Sequence, residues 1–373
     1  MTSKPYSILS LDGGGIRGLV TAIMLESLEK QIKKRAPRKQ LRDCFDLIAG
    51  TSTGSLIACG ISHGFPISEI RNFYSLNSQY PQKIFPESKF NLVFQGIVNR
   101  FSRGASQPLY NGKGLEDVLQ YLFKKDTFYQ LPIQTLVTSY DVYNGQAIVF
   151  NSRQEECQTL PIWEVCRASA AAPVAFPAHV LKNIKFLKYW QQQGYQLTVN
   201  NPKDNQECIP LIDGGVVANN PTLCAIAEAI KNEQNLSNIV VSSFGCGQKK
   251  VKSIGVQQAQ ESGAFEWIYP LKSIPLLETF FEGSSDAIDH ISQHLIKRDD
   301  QHYFRFQPSF TENYPAFEAT ARNLDELTDN TLEFINSSQV QEKLNTLADK
   351  LTVTPVSPVR EREEQLVSVS HYN

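Results

Sequence analysis

Twice within its first 60 residues the chain runs from a short apolar stretch into a glycine-rich turn and then into a segment of helical spacing. The first unit is Tyr6–Leu11, then Asp12-Gly13-Gly14-Gly15-Ile16-Arg17-Gly18, then a stripe of Leu19, Val20, Ile23, Met24, Leu28 and Ile32. The second is residues 45–49, then Gly50-Thr51-Ser52-Thr53-Gly54, then residues 55–61, apolar nearly all round. Apolar residues at three- and four-residue intervals make one face of a helix, and a short apolar run closed by glycines reads as a buried strand. Repeated strand–turn–helix units predict an α/β fold with a mainly parallel sheet covered on both faces. The alternation continues. Residues 136–142 and 147–151 flank Tyr143-Asn144-Gly145, a hairpin signal because Asn-Gly accepts positive φ. Residues 209–212 break at Asp213-Gly214-Gly215, Asn220-Pro221 opens a helix to about Lys231, and residues 238–244 stop at Gly245.

Two of these turns carry chemistry. Gly50–Gly54 fits G-x-S-x-G, with Thr51 and Thr53 beside the serine, between a strand and a helix. A turn that sharp needs glycine on both sides and holds the Ser52 hydroxyl out over the sheet. The first turn satisfies G-x-G-x-x-G through Gly13, Gly15 and Gly18, which raises dinucleotide binding. That use wants an acid at the end of the next strand for the ribose, whereas Asp43 and Asp46 lie at its start. The alternative use fits better: Gly13, Gly14 and Gly15 expose amides at a helix N-terminus, where developing negative charge is favoured. One such oxyanion donor contributes roughly 3 kcal/mol of transition-state stabilisation. Arg17 stands where it could add positive charge or contact an anion.

A nucleophilic serine needs a base, usually histidine. None of the six histidines lies at a strand end beside a glycine turn. His290 and His294 are spaced i, i+4, but Ile291 stands where a zinc protease would need glutamate. Asp213 does end a strand and is followed by Gly214 and Gly215, the place from which a carboxylate reaches the crevice above a parallel sheet.

Composition narrows the partners. With 36 Lys+Arg against 38 Asp+Glu the chain has no basic excess for a nucleic acid. Seven scattered cysteines without a CxxC pair exclude a disulfide framework and a zinc module and point to a reducing compartment. The sequence offers no signal-peptide core, and no window approaches the roughly 18 apolar residues of a membrane span. The expectation is a cytoplasmic protein whose membrane contact is peripheral. An apolar stretch from Ile84 and Phe85 through Phe90, Phe94 and Phe101 reads as core or as a lid, and Trp267, Tyr269, Phe280 and Phe281 share that ambiguity.

Taken together, Asp12–Gly18, Gly50–Gly54 and Asp213–Gly215 resemble, in order, the D-G-G-G-x-[RK]-G loop, G-x-S-x-G elbow and D-G-[GA] turn of the patatin-like phospholipases. Intermediate blocks 110–115, Tyr140-Asp141 and 167–173 are similar as well, and the likeness fades after about residue 245. The resemblance implies a three-layer α/β/α fold related to cytosolic phospholipase A2. It also implies a Ser–Asp dyad of Ser52 and Asp213 with the Gly13–Gly15 amides as oxyanion hole, acting on lipid esters without metal or cofactor. The expected organisation is a catalytic core over 6–250, a mostly helical part over 251–350 on the same domain, and a flexible tail over 351–373. Two other readings remain open: an acyltransferase using the same dyad, and a non-catalytic lipid-binding or storage protein.

Overall fold

A computed structural model of the chain describes residues 5–86, 108–200, 205–249, 256, 260, 275–296 and 302–352. The apolar stretch from Phe90 to Phe101, Trp267, Tyr269 and the tail from residue 353 lie outside these residues.

The strands are β1 (Tyr6–Leu11), β2 (Leu47–Gly50), β3 (Gln134–Asp141), β4 (Gln146–Asn151), β5 (His179–Leu181), β6 (Thr198–Val199), β7 (Glu207–Asp213), β8 (Ile239–Phe244), β9 (Gln248–Lys249), β10 (Tyr303–Phe306) and β11 (Ser309–Phe310). Nine form one sheet, in the order β10-β8-β1-β2-β3-β7-β5, with β4 on β3 and β6 on β7. From β10 to β3 every neighbouring pair is parallel. Beyond β3 the pairing is antiparallel, to β4, β7, β5 and β6. The small β9–β11 ladder stands apart.

Side chains alternate between two cores because a strand's period is two. Leu9 and Leu11 of β1, Ile48 of β2 and Val137 of β3 enter the larger core with Leu19, Val20, Ile23 and Ile57. Ile8, Leu47, Ala49 and Leu136 enter the smaller one, against Ala225, Ile226 and Ala229. The helices Gly18–Arg35 and Thr53–His63 thus cover one face and Thr222–Lys231 the other, which is the three-layer α/β/α arrangement expected.

The hairpin lies where Asn144-Gly145 placed it, with Gly145 at φ 68°. Asp141 closes it: its carboxylate accepts from the Tyr143 and Asn144 amides, the Asn144 side chain and Trp190 Nε1. The C-terminal part is more deeply built in than its helical pattern suggested. It supplies β10, buried beside β8, and the helices Ala321–Asn336 and Ser338–Thr352, which pack along Gly18–Arg35.

Candidate active site

Ser52 sits between β2 and the Thr53–His63 helix at φ 53°, ψ −123°, a strained conformation for a residue with a side chain. Its neighbours hold it there. A Cβ on Gly50 would collide with the Gly54 carbonyl, and one on Gly54 with the carbonyls of Leu11 and Asp12, so both positions require glycine. The Ser52 amide donates to Ser169 Oγ at 2.8 Å, and Ser55 Oγ donates to the Ser52 carbonyl at 2.6 Å. The Thr51 hydroxyl donates to the Ala218 carbonyl at 2.7 Å, so it accepts from Thr138 at 2.6 Å. On the other side Thr53 Oγ1 and the Tyr74 hydroxyl are 2.6 Å apart, beneath Gly18, where a Cβ would strike Thr53.

Asp213 arrives from the opposite direction. β4 occupies one edge of β3 along Leu136–Asp141, so β2 and β7 share the other edge. There Gly50 lies opposite Val137 and Asp213 opposite Ser139. The expected crevice geometry, with Asp213 ending a strand parallel to the others, is therefore corrected: β7 is antiparallel to β3 and meets β2 head to head. The consequence for the carboxylate is the same, since it ends at the elbow. Asp213 is fully buried; its Oδ1 accepts from the Gly215 amide at 2.7 Å, while Oδ2 has no partner among the described residues. Burial pushes the Asp213 carboxyl up from its ordinary value to about 7, against the opposing pull of the Ser52 hydroxyl and the Gly215 amide. The Ser52 hydroxyl is near enough to favour the anion but is not docked on Oδ2. The glycines after Asp213 are steric necessities. A Cβ on Gly214 would overlap Thr138, and one on Gly215 would sit 3.0 Å from Asp213 Oδ1, Asn219 Oδ1 and Phe281.

The glycine loop completes the corner. The point a Gly13 Cβ would occupy is 3.2 Å from Ser52 Cβ. The expected trio of amides is reduced to two, because the Gly13 amide donates to the Asn219 carbonyl at 3.0 Å. Gly14 and Gly15 amides have no acceptor among the described residues. Gly15 needs its φ of 59°, and a Cβ there would collide with the Ala316 carbonyl. Arg17 Nη1 donates to the Gly247 carbonyl at 3.4 Å.

Asp12 stands out in the sequence with the glycine loop, but the partners that support the site escaped the sequence reading. Asp12 is buried and forms two hydrogen bonds, 2.9 and 2.6 Å, with Arg305 of β10. Arg305 also reaches Ser243 Oγ at 2.9 Å. The Ala316 carbonyl accepts from the Ile16 amide at 2.8 Å, and Asn219 Nδ2 donates to Ser285 Oγ at 3.0 Å. Asn219 carries a faint signal, six positions after Asp213 and across one turn of helix; the others lie too far along the chain for spacing to find them. The next helix starts one residue later than its sequence suggests, running Thr222–Lys231 with Pro221 at the N-cap, and Asn220 Oδ1 accepts from the Thr222 amide at 3.0 Å.

No hydrogen bond joins a described histidine to Ser52 or Asp213. His290 and His294 stack on an exposed helix face, and burial pushes His179 down to about 3, leaving it neutral against Trp163. Among the described residues no group of three or more His, Cys, Asp or Glu is arranged to hold a metal ion.

Comparison with known proteins gives the family. The family model for patatin-like phospholipase matches residues 9–226, more than half of the chain and the span from β1 past Asp213. Patatin-like protein 2 of Arabidopsis thaliana is 30% identical over 348 residues, covering 86% of this chain and 80% of that protein. Patatin-like protein 1 of the same plant is 27% identical over 363 residues, covering 91% and 81%. A potato relative, 26% identical and covering 71% of this chain and 69% of its own length, is named probable inactive patatin-3-Kuras 1. The crystal structure of VipD from Legionella pneumophila superposes with a TM-score of 0.43 at 12% identity, covering 92% of this chain and 67% of that one. With its glycine loop, serine elbow and Asp-Gly-Gly turn in the matched span, the chain belongs to the patatin-like phospholipase family, a lipid acyl hydrolase superfamily.

Proposed function

We propose that the chain is a lipid acyl hydrolase of phospholipase A or lysophospholipase type, working through an acyl-Ser52 intermediate with Asp213 as base. The observation that carries this reading is the buried Asp213 carboxylate, open at Oδ2, at the end of the strand that meets the Ser52 elbow. Ser52 Oγ attacks the ester carbonyl carbon as its proton passes to Asp213 Oδ2. The negative charge then forms on the carbonyl oxygen beside the free Gly14 and Gly15 amides. Collapse breaks the bond to the alcohol, which leaves with the proton from Asp213. Water then repeats the sequence, releasing the fatty acid and restoring both side chains. A carboxylate titrating near 3.9 in water is a poor base at neutral pH; raised to about 7 its proton affinity matches the task.

Apolar side chains stand on the elements next to Asp213. Val217 follows Asp213 on the Gly215–Ala218 helix and is 37% exposed, and Phe280, beside the Phe281 that faces Gly215, is 58% exposed. They suit a lipid surface, approached peripherally, since no helix among the described residues is long and apolar enough to cross a membrane. All seven cysteines are free thiols, which fits a reducing, cytoplasmic setting.

The test is mass spectrometry of fatty acids released from mixed-lipid vesicles by wild type and by Ser52→Ala, with and without a lysolipid acceptor. The reading expects free fatty acid from wild type, undiminished in excess chelator, and none above background from the variant. Equal release by Ser52→Ala sinks it; acyl transfer to the acceptor without free acid makes the chain a transferase.

A further inference from the structure

Asn219 is 7% exposed, and its two amide atoms have different fates. Nδ2 donates to Ser285 Oγ at 3.0 Å and, more loosely, to the Gly13 carbonyl at 3.4 Å. Oδ1 is buried with no partner among the described residues. The orientation follows from the neighbours. A carbonyl can only accept, so the Gly13 contact requires the NH2 end. The Ser285 hydroxyl lies near enough to the Asp12 carboxylate, itself clamped by Arg305, to favour its charged form, and it accepts from Asn219. A chain from Arg305 through Asp12 and Ser285 thus turns Asn219 Oδ1 away from its own anchors and toward the dyad.

Oδ1 points into the corner between the two reacting side chains. It overlaps the point where a Gly13 Cβ would lie, 3.2 Å from Ser52 Cβ. It is also 3.0 Å from the point where a Gly215 Cβ would lie, as is Asp213 Oδ1. The absence of a side chain on Gly13 is what gives Asn219 Oδ1 this place beside Ser52. Asp213 borders it through Oδ1, and its other oxygen, Oδ2, is like Asn219 Oδ1 a buried acceptor without a partner among the described residues. A buried acceptor left unpaired is costly, and the molecule that offers two donors to two separate acceptors is water.

We propose that Asn219 is a catalytic residue of deacylation, holding the hydrolytic water jointly with Asp213. The inference rests on the acyl-Ser52 reading above. In the step it describes, one water hydrogen bonds Asn219 Oδ1 and the other bonds Asp213 Oδ2. The oxygen attacks the acyl carbon, Asp213 takes the proton, the bond from the acyl carbon to Ser52 Oγ breaks, and Oγ receives that proton. Asn219 neither gains nor loses one. Acylation needs no such water, because Ser52 carries the attacking oxygen. An alcohol has a single O–H, which Asp213 alone can engage, so loss of Asn219 handicaps water more than alcohol. The choice between hydrolysis and transfer thus depends on this amide.

The experiment uses the full-length protein, a p-nitrophenyl fatty ester and a fixed concentration of methanol. It follows the pre-steady-state burst, the mass of the acylated protein, and the ratio of methyl ester to free acid. For Asn219→Ala we expect a burst rate within about threefold of wild type, steady-state hydrolysis lowered about 10- to 100-fold, and accumulated acyl-Ser52. The methyl ester to acid ratio should rise about tenfold, on the order of one well-placed hydrogen bond. That ratio is internal to each sample, so partial misfolding leaves it readable. Ser285→Ala, which frees the amide to turn, should shift the ratio the same way by a smaller factor. An unchanged ratio in Asn219→Ala, or acylation falling in step with deacylation, overturns the inference and leaves the dyad standing. Absence of an acyl-Ser52 adduct in the wild type overturns the underlying reading, and the inference with it.

Discussion

Gly50 and Asp213 end two strands that run toward each other along one edge of β3, opposite Val137 and Ser139. The residue between those two, Thr138, fills the space behind the junction; its hydroxyl donates to Thr51, and its backbone abuts Gly214. Gly214→Ala pushes a methyl into Thr138 at an otherwise permissive φ of −65°. Overpacking of this kind costs about 1–3 kcal/mol. Activity is expected to fall over 100-fold, about 2.7 kcal/mol or more in the barrier, because the displaced atoms carry Asp213. Thermal melts and ester hydrolysis read the two effects side by side, and a variant with normal activity would contradict the close packing.

The Asp12–Arg305 pair ties the glycine loop to β10. Arg305 is 9% exposed at its side chain and Asp12 2%, so removing the cation leaves a buried carboxylate alone. Asp12 also holds the Arg305 guanidinium firmly charged despite its burial. Arg305→Met is expected to cost about 3–5 kcal/mol in denaturant unfolding, the usual penalty for breaking a buried ion pair. The double variant Asp12→Asn, Arg305→Met should recover part of it. No recovery would mean that the charges do not depend on one another.

Asp213 links activity to pH. The base must be ionised, so the rate of acylation should rise with pH and level off above a midpoint of about 7. A profile flat from pH 5 to 9 contradicts the assignment. Stability runs the other way. The folded state favours the protonated carboxyl, so it binds more protons than the unfolded chain between about pH 4 and 7, and stability is lost as pH rises across that window. Asp213→Asn escapes this loss. It should be inactive yet more stable than wild type above pH 7, by roughly 4 kcal/mol at the upper end, with the gain vanishing near pH 4.

Local geometry was legible in the sequence. The three glycine turns mark the loop at Gly13–Gly15, Ser52 and Asp213 because each motif encodes its own turn: Gly15, Gly50, Gly54 and Gly214 stand where a Cβ would strike backbone. The hairpin at Asn144-Gly145 and the Asn220 hydrogen bond before the next helix are equally local. Direction and support were not legible. Nothing within residues 209–213 reveals that β7 runs antiparallel to β3, since period and composition are the same for either direction. Arg305, Ser285 and Ala316 reach the site only through the path of the chain, from a region whose helical pattern says nothing about what it touches. The use of the Gly13 amide by Asn219 is of the same kind, a long-range hydrogen bond that a glycine count cannot foresee.

The central claim is that Ser52 is the nucleophile, and covalent labelling tests it most directly. The protein is treated with a lipid-like fluorophosphonate, digested, and the adduct located by peptide mass spectrometry. The account predicts a single adduct on Ser52, absent from Ser52→Ala and formed at least 100-fold more slowly in Asp213→Asn. An adduct on another residue, or labelling that persists in folded Ser52→Ala, would contradict it.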